Sequence, residues 1–99
     1  MVRISRARLD MEDGRIDRAI LKDYGETLVG GTEGTETGST ETLDITSGNV
    51  FHLILTANCT FTFSNPAPVG ASTTFTLILR QDEVGGRTVT WPSSVVWVA

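Results

Sequence analysis

Chemistry-bearing side chains are scarce in this sequence, which has one cysteine and one histidine in 99 residues. A single cysteine excludes an internal disulfide and any multi-cysteine zinc site. A single histidine, His52, has no second His to share a metal with, and Asp44 is the only acid near it in sequence. No apolar run approaches the roughly 18 residues needed to cross a membrane. The start "MVRISRARLD" is charged and has no apolar stretch behind it, so no secretory leader is read there. Basic charge is in deficit. With a net charge of −4 and a pI near 4.7, the chain lacks the clustered basic surface that nucleic acid requires. These absences imply a soluble protein made in a cytoplasm, with neither nucleic acid nor membrane as partner.

What is present divides near residue 41. Residues 1–41 hold six of the eight Lys and Arg and nine of the twelve acids. From residue 42 onward the only charges are Asp44, Arg80, Asp82, Glu83 and Arg87, among ten threonines and many Val, Ile, Leu and Phe. Monomer surfaces are usually kept soluble by interspersed charge, so a β domain with five charges is expected to meet other subunits. Between the halves, "GGTEGTETGSTE" (residues 30–41) contains no apolar residue and has the composition of a flexible connector. Three parts are expected: an N-terminal attachment arm (1–29), a flexible linker (30–41) and a β domain (42–99).

Within the β half, Phe51, Leu53 and Leu55 alternate with Val50, His52, Ile54 and Thr56. Phe61 and Phe63 alternate with Thr60 and Thr62, and Phe75, Leu77 and Leu79 with Thr74, Thr76 and Ile78. This period of two is that of half-buried strands. Ser47-Gly48-Asn49, Ala57-Asn58 and the Pro-containing 65–70 stretch break the runs, and "QDEVGGR" has the composition of a hairpin turn. Short strands with turns every ten or so residues predict a small antiparallel β-sandwich or barrel. The predicted core is Leu43, Ile45, Phe51, Leu53, Leu55, Phe61, Phe63, Phe75, Leu77, Leu79, Val89 and Trp91. Apolar residues on the other face, Val50, Ile54 and Ile78, imply that this face is covered too. His52, Ile54, Ile78 and Trp97 are therefore the candidate subunit-interface residues.

Ile16, Ile20 and Tyr24 recur at helical spacing, with Leu9 seven residues before Ile16. They predict a helix over 15–24 after an extended segment. A stripe this thin buries little by itself, so Leu9, Ile16, Ile20 and Tyr24 are the candidate attachment residues.

The scarce reactive groups have ordinary readings. His52 lies on the face away from the predicted core, without a base's partner or a metal's further ligands. Cys59 stands beside a turn with no basic neighbour to depress its pKa, as a small buried residue would. The glycines of 30–38 lack the Lys-Ser/Thr of a phosphate loop, and their glutamates would repel phosphate. Trp91 and Trp97 could stack on sugars but alternate like core or interface residues. No catalytic, cofactor or metal residue is named.

Taken whole, "TLDITSGNVFHLILTANCTFTFSNPAPVGASTTFTLILRQDEVGGRTVTWP" (residues 42–92) resembles a β module of tailed-bacteriophage virion proteins. Its elements are the Thr-Leu-Asp start, Gly-Asn-Val-Phe, Thr-Phe-Thr-Phe-Ser-Asn-Pro, Phe-Thr-Leu-Ile-Leu with Gln-Asp, and Gly-Gly-Arg-Thr-Val-Thr-Trp-Pro. Ile45 stands where the family pattern has a second Leu. Members run on past the Trp-Pro, whereas this sequence stops at Ala99, so a short member or a piece of a longer fibre is expected. The resemblance implies a non-enzymatic structural protein of the virion, assembled in the host cytoplasm, homotrimeric, and carrying over no catalytic residue. A tail fibre or tail appendage anchored to the tail or baseplate by residues 1–29 is the first expectation. The alternatives are a trimeric cement protein decorating the capsid through the major capsid protein, and a glycan-binding adhesin using Trp91 and Trp97.

Overall fold

The computed structural model describes residue 12 and residues 14–98. It contains seven strands and no helix among them: β1 (Leu28–Val29), β2 (Thr35–Glu36), β3 (Thr40–Asp44), β4 (Val50–Leu55), β5 (Cys59–Ser64), β6 (Thr76–Gln81) and β7 (Val89–Thr90). β1, β2 and β6 pair with β4 in one sheet, and β3, β5 and β7 form the other in that order. Every pairing is parallel. The chain therefore winds from one sheet to the other and back. It makes three stacked coils, residues 28–44, 50–64 and 76–90, that share one core.

This corrects the expected antiparallel sandwich or barrel. The sheets are open, and consecutive strands lie in opposite sheets. β4 and β5 do not form a hairpin, and "QDEVGGR" joins two sheets rather than two paired strands. Alternation with a period of two looks the same in parallel and antiparallel strands. What distinguishes them is the connection: the three residues between β4 and β5 turn the chain away from its own sheet.

Polar residues at the corners tie each coil to the next. Asn49 accepts a hydrogen bond from Thr27 N through Oδ1 (3.1 Å) and donates its own N–H to Thr27 O (2.9 Å); its carbonyl accepts from Thr76 N (2.9 Å). One asparagine thus bridges all three coils. Asn58 Oδ1 accepts from Thr88 N at 3.0 Å. Asp44 Oδ1 gathers Thr46 N (3.0 Å), Thr46 Oγ1 (2.6 Å) and Asn65 Nδ2 (2.9 Å). The Asn65 side chain first and Thr46 second hold that carboxyl below its ordinary range.

Leu43, Phe51, Leu53, Leu55, Cys59 and Phe61 are buried, with Val29, Phe63, Phe75, Leu77, Leu79, Val89 and Trp91 packed against them. Ile45 is the one expected core residue outside this cluster. Inward side chains stack along the coil axis, Val29 on Phe51 on Leu77 in one sheet and Cys59 on Val89 in the other. Phe61 lies parallel to Trp91, with ring centroids 5.5 Å apart and planes at 17°. Outward, Thr40, Thr60 and Thr90 stand in register, as do Thr42 and Thr62, whose hydroxyls are 2.8 Å apart.

Two further expectations meet the structure differently. Residues 30–41 hold β2 and the start of β3 and belong to the first coil. The helix expected over 15–24 is absent, and residues 14–27 carry no regular structure. Arg18 and Asp23 have φ of 56° and 52°, which no right-handed helix admits.

Candidate functional site

His52 is where the fold does something unusual. Val29 stands opposite Phe51, and Thr35 opposite Leu53. Five residues, 30–34, therefore face the single residue His52, and the excess folds over its ring. Gly34 N donates to Gly30 O at 2.9 Å, closing a tight turn. Gly30, Gly31 and Gly34 have φ of 97°, 60° and 89°, values that glycine adopts without the Cβ penalty. The cover is also close. A Cβ on Gly34 would stand 3.4 Å from both Cδ2 and Nε2 of His52, and one on Gly30 would overlap the His52 carbonyl oxygen.

Under this cap His52 is only 9% exposed. Its Nδ1 lies 2.9 Å from Gly31 O. A carbonyl only accepts, so Nδ1 carries the proton. In the neutral ring Nε2 is then an acceptor, and it is buried without a partner. The described residues contain no cluster of His, Cys, Asp and Glu able to hold a metal ion. Sequence reasoning placed His52 on the outer face correctly but missed its cover. The signal was the density of glycines in 30–34.

The other candidate residues are distributed unevenly. His52 is in register with Ile78, and Ile54 with Arg80, so the outer face of one sheet brings His52, Ile54 and Ile78 together. Trp97 is elsewhere: its ring meets Trp91 edge-on at 5.5 Å. Ile16, Ile20 and Tyr24 are all exposed and outside the core, Ile20 at 97%. Leu9 lies outside the described residues. Cys59 is free and buried against Val89, as a small packing residue.

Two charged groups are shaped by their surroundings. Asp82 is gripped by Arg87 through Nε (3.3 Å) and Nη2 (2.9 Å), and Gly85 N donates to it at 2.9 Å. The Arg87 hydrogen bonds first, then Gly85, lower its carboxyl below the ordinary range. Gln81 completes the loop by binding both Arg87 N (3.0 Å) and Arg87 O (2.9 Å). Glu41 points inward between the outward Thr40 and Thr42, in register with Phe61, and burial pushes its carboxyl up. The described residues enclose no pocket for a small molecule.

A family model described as "Putative phage tail fibre C-terminal domain" matches residues 35–99. No curated protein and no solved structure matches the chain. The matched region takes in β2 to β7, the body of the coil stack. By this match over most of its length, the chain belongs to the phage tail fibre C-terminal domain family.

Proposed function

We propose that the chain is a non-enzymatic structural component of a tailed-phage tail fibre, held in the virion by its N-terminal arm. The observation that carries this is the contrast between the arm and the coil stack. The inward rows of the stack pack into one shared core, whereas Ile16, Ile20, Leu21 and Tyr24 stand exposed on residues that join no sheet. Apolar side chains left out of a core mark contact surfaces. The stack itself offers no pocket and no acid–base pair around which to build a reaction.

Anchoring is tested in phage particles. Virions assembled with the Ile16→Asp, Ile20→Asp chain should lack it by mass spectrometry, while the purified variant keeps the β-rich circular dichroism of the wild type. Normal incorporation of the variant would remove the anchoring role and leave the family membership untouched.

A further inference from the structure

Among the described residues, Nε2 of His52 is the buried side-chain atom that no hydrogen-bond partner meets. A Cβ on Gly34 would stand 3.4 Å from Nε2 and 3.0 Å from Ile54 Cγ1, so this nitrogen faces glycine backbone and an aliphatic side chain. For a neutral acceptor that wall has a modest cost. For a protonated ring the cost is much larger. Protonation keeps the Nδ1–H bond to Gly31 O (2.9 Å) and adds a positive charge and a second N–H at Nε2. With the bulge closed, that N–H has nothing to donate to. An unpaired charge is far costlier to bury than an unpaired neutral atom.

The elements packed around the ring do not compensate the charge. The bulge carries Glu33 and β2 carries Glu36, both exposed. β6 carries Arg80, of the same sign as a protonated ring, and its Nη1 donates to Glu33 O at 3.4 Å. β1 and β4 have no other charged residue. The ion pairs of the described residues are Arg15–Asp17 and Arg87–Asp82, and neither includes the ring.

The cover is also built to lift. Residues 30–34, "GGTEG", contain no apolar side chain, so opening them exposes none of their own. Three of the five are glycines at positive φ. The flanking strands β1 and β2 are held separately on β4, so the bulge can swing without unzipping the sheet. Local openings of this kind lie well below global unfolding in free energy.

We propose that residues 30–34 are a proton-sensitive lid, closed over the neutral ring of His52 and lifted when Nε2 takes up a proton. Lifting gives the new N–H water as its acceptor and uncovers the outer face that His52 shares with Ile54 and Ile78. Histidine is the side chain suited to such a switch near neutral pH. The lid is a property of the chain by itself and does not depend on the anchoring role of the arm.

Amide hydrogen exchange of the full chain, followed by NMR from about pH 7.5 to about pH 5.5 across the ordinary imidazole range and expressed as protection factors, tests it. The Gly34 amide donates to Gly30 O in the closed lid. Its protection should fall by about tenfold for each pH unit as the ring takes up its proton, while amides of β4 and β6 keep theirs. His52→Gln retains a donor for Gly31 O but does not titrate, so its Gly34 protection should be constant with pH. This variant also separates the lid from Glu41, the inward carboxyl of the other sheet. The contrast between Gly34 and β4 is read within the wild type, so it holds even where the variant folds poorly. Constant Gly34 protection in the wild type, an equal fall in His52→Gln, or a fall that β4 shares would each overturn the proposal.

Discussion

The Nδ1 of His52 and the carbonyl oxygen of Gly31 lie 2.9 Å apart across two coils of the stack. That contact fixes the tautomer of the only histidine and closes a five-residue bulge over one side chain. The three glycines that permit it differ in what crowds them, which gives a graded expectation. At Gly31 (φ 60°) a Cβ meets nothing within 4 Å, so Gly31→Ala should cost only the left-handed backbone penalty, about 1 kcal/mol. Gly34→Ala adds a 3.0 Å approach to Ile54 Cγ1 and should cost more. Gly30→Ala, whose Cβ would overlap the His52 carbonyl, should cost the most. Urea midpoints in that order, with nitrogen shifts of His52 showing Nδ1 protonated at neutral pH, are the expected outcome. Three equal midpoints would mean that the bulge is not packed on the histidine.

The interior gives a second expectation. Phe61 is 0% exposed, shares the core cluster with Leu43 and Phe51 and stacks on Trp91. Phe61→Ala should therefore cost about 3–5 kcal/mol. In a domain this small that is a large share of the total stability. Tryptophan fluorescence reports it directly, because Trp91 loses the ring it stacks on. A loss under 1 kcal/mol would show that the coils do not share this core.

How much of this was legible in the sequence depends on the residue. The rows Phe51-Leu53-Leu55 and Phe61-Phe63 were readable because alternation is a property of the single strand. The parallel pairing is a relation between strands. Its trace is the repeated Thr-x-Thr at 40–42, 60–62 and 88–90, in which Thr40, Thr60 and Thr90 come into register. The gap between the last two is ten residues longer than that between the first two, so no fixed period announces the repeat. Ile16, Ile20 and Tyr24 do have helical spacing, but spacing stabilises a helix only when the stripe is buried, and among the described residues nothing covers it. The bulge escaped because glycine-rich composition is common to flexible connectors and tight turns alike. The single His it covers stands some twenty residues away in sequence.

Acid stability separates the carboxylates. Asp44 and Asp82 have folded pKa values lowered by Asn65 and Thr46 and by Arg87 and Gly85, respectively. Each contributes stability that is present above its unfolded pKa of about 3.9 and is lost as pH falls through the lower folded value. Arg87→Ala removes the larger part of the Asp82 contribution, so its stability should fall less steeply than wild type below about pH 4. Guanidinium melts at a series of pH values measure this. Parallel acid limbs for variant and wild type would show that the pair is spent in solvent.

Glu41 has the opposite sign. Burial raises its folded pKa, so its favourable contribution is full below the unfolded value of about 4.3 and is lost as pH rises through the folded value. At neutral pH the charged carboxylate is a burden that the inward position of β3 imposes. Glu41→Gln should therefore be more stable than wild type at pH 7, with the difference shrinking as pH falls and gone below about 4.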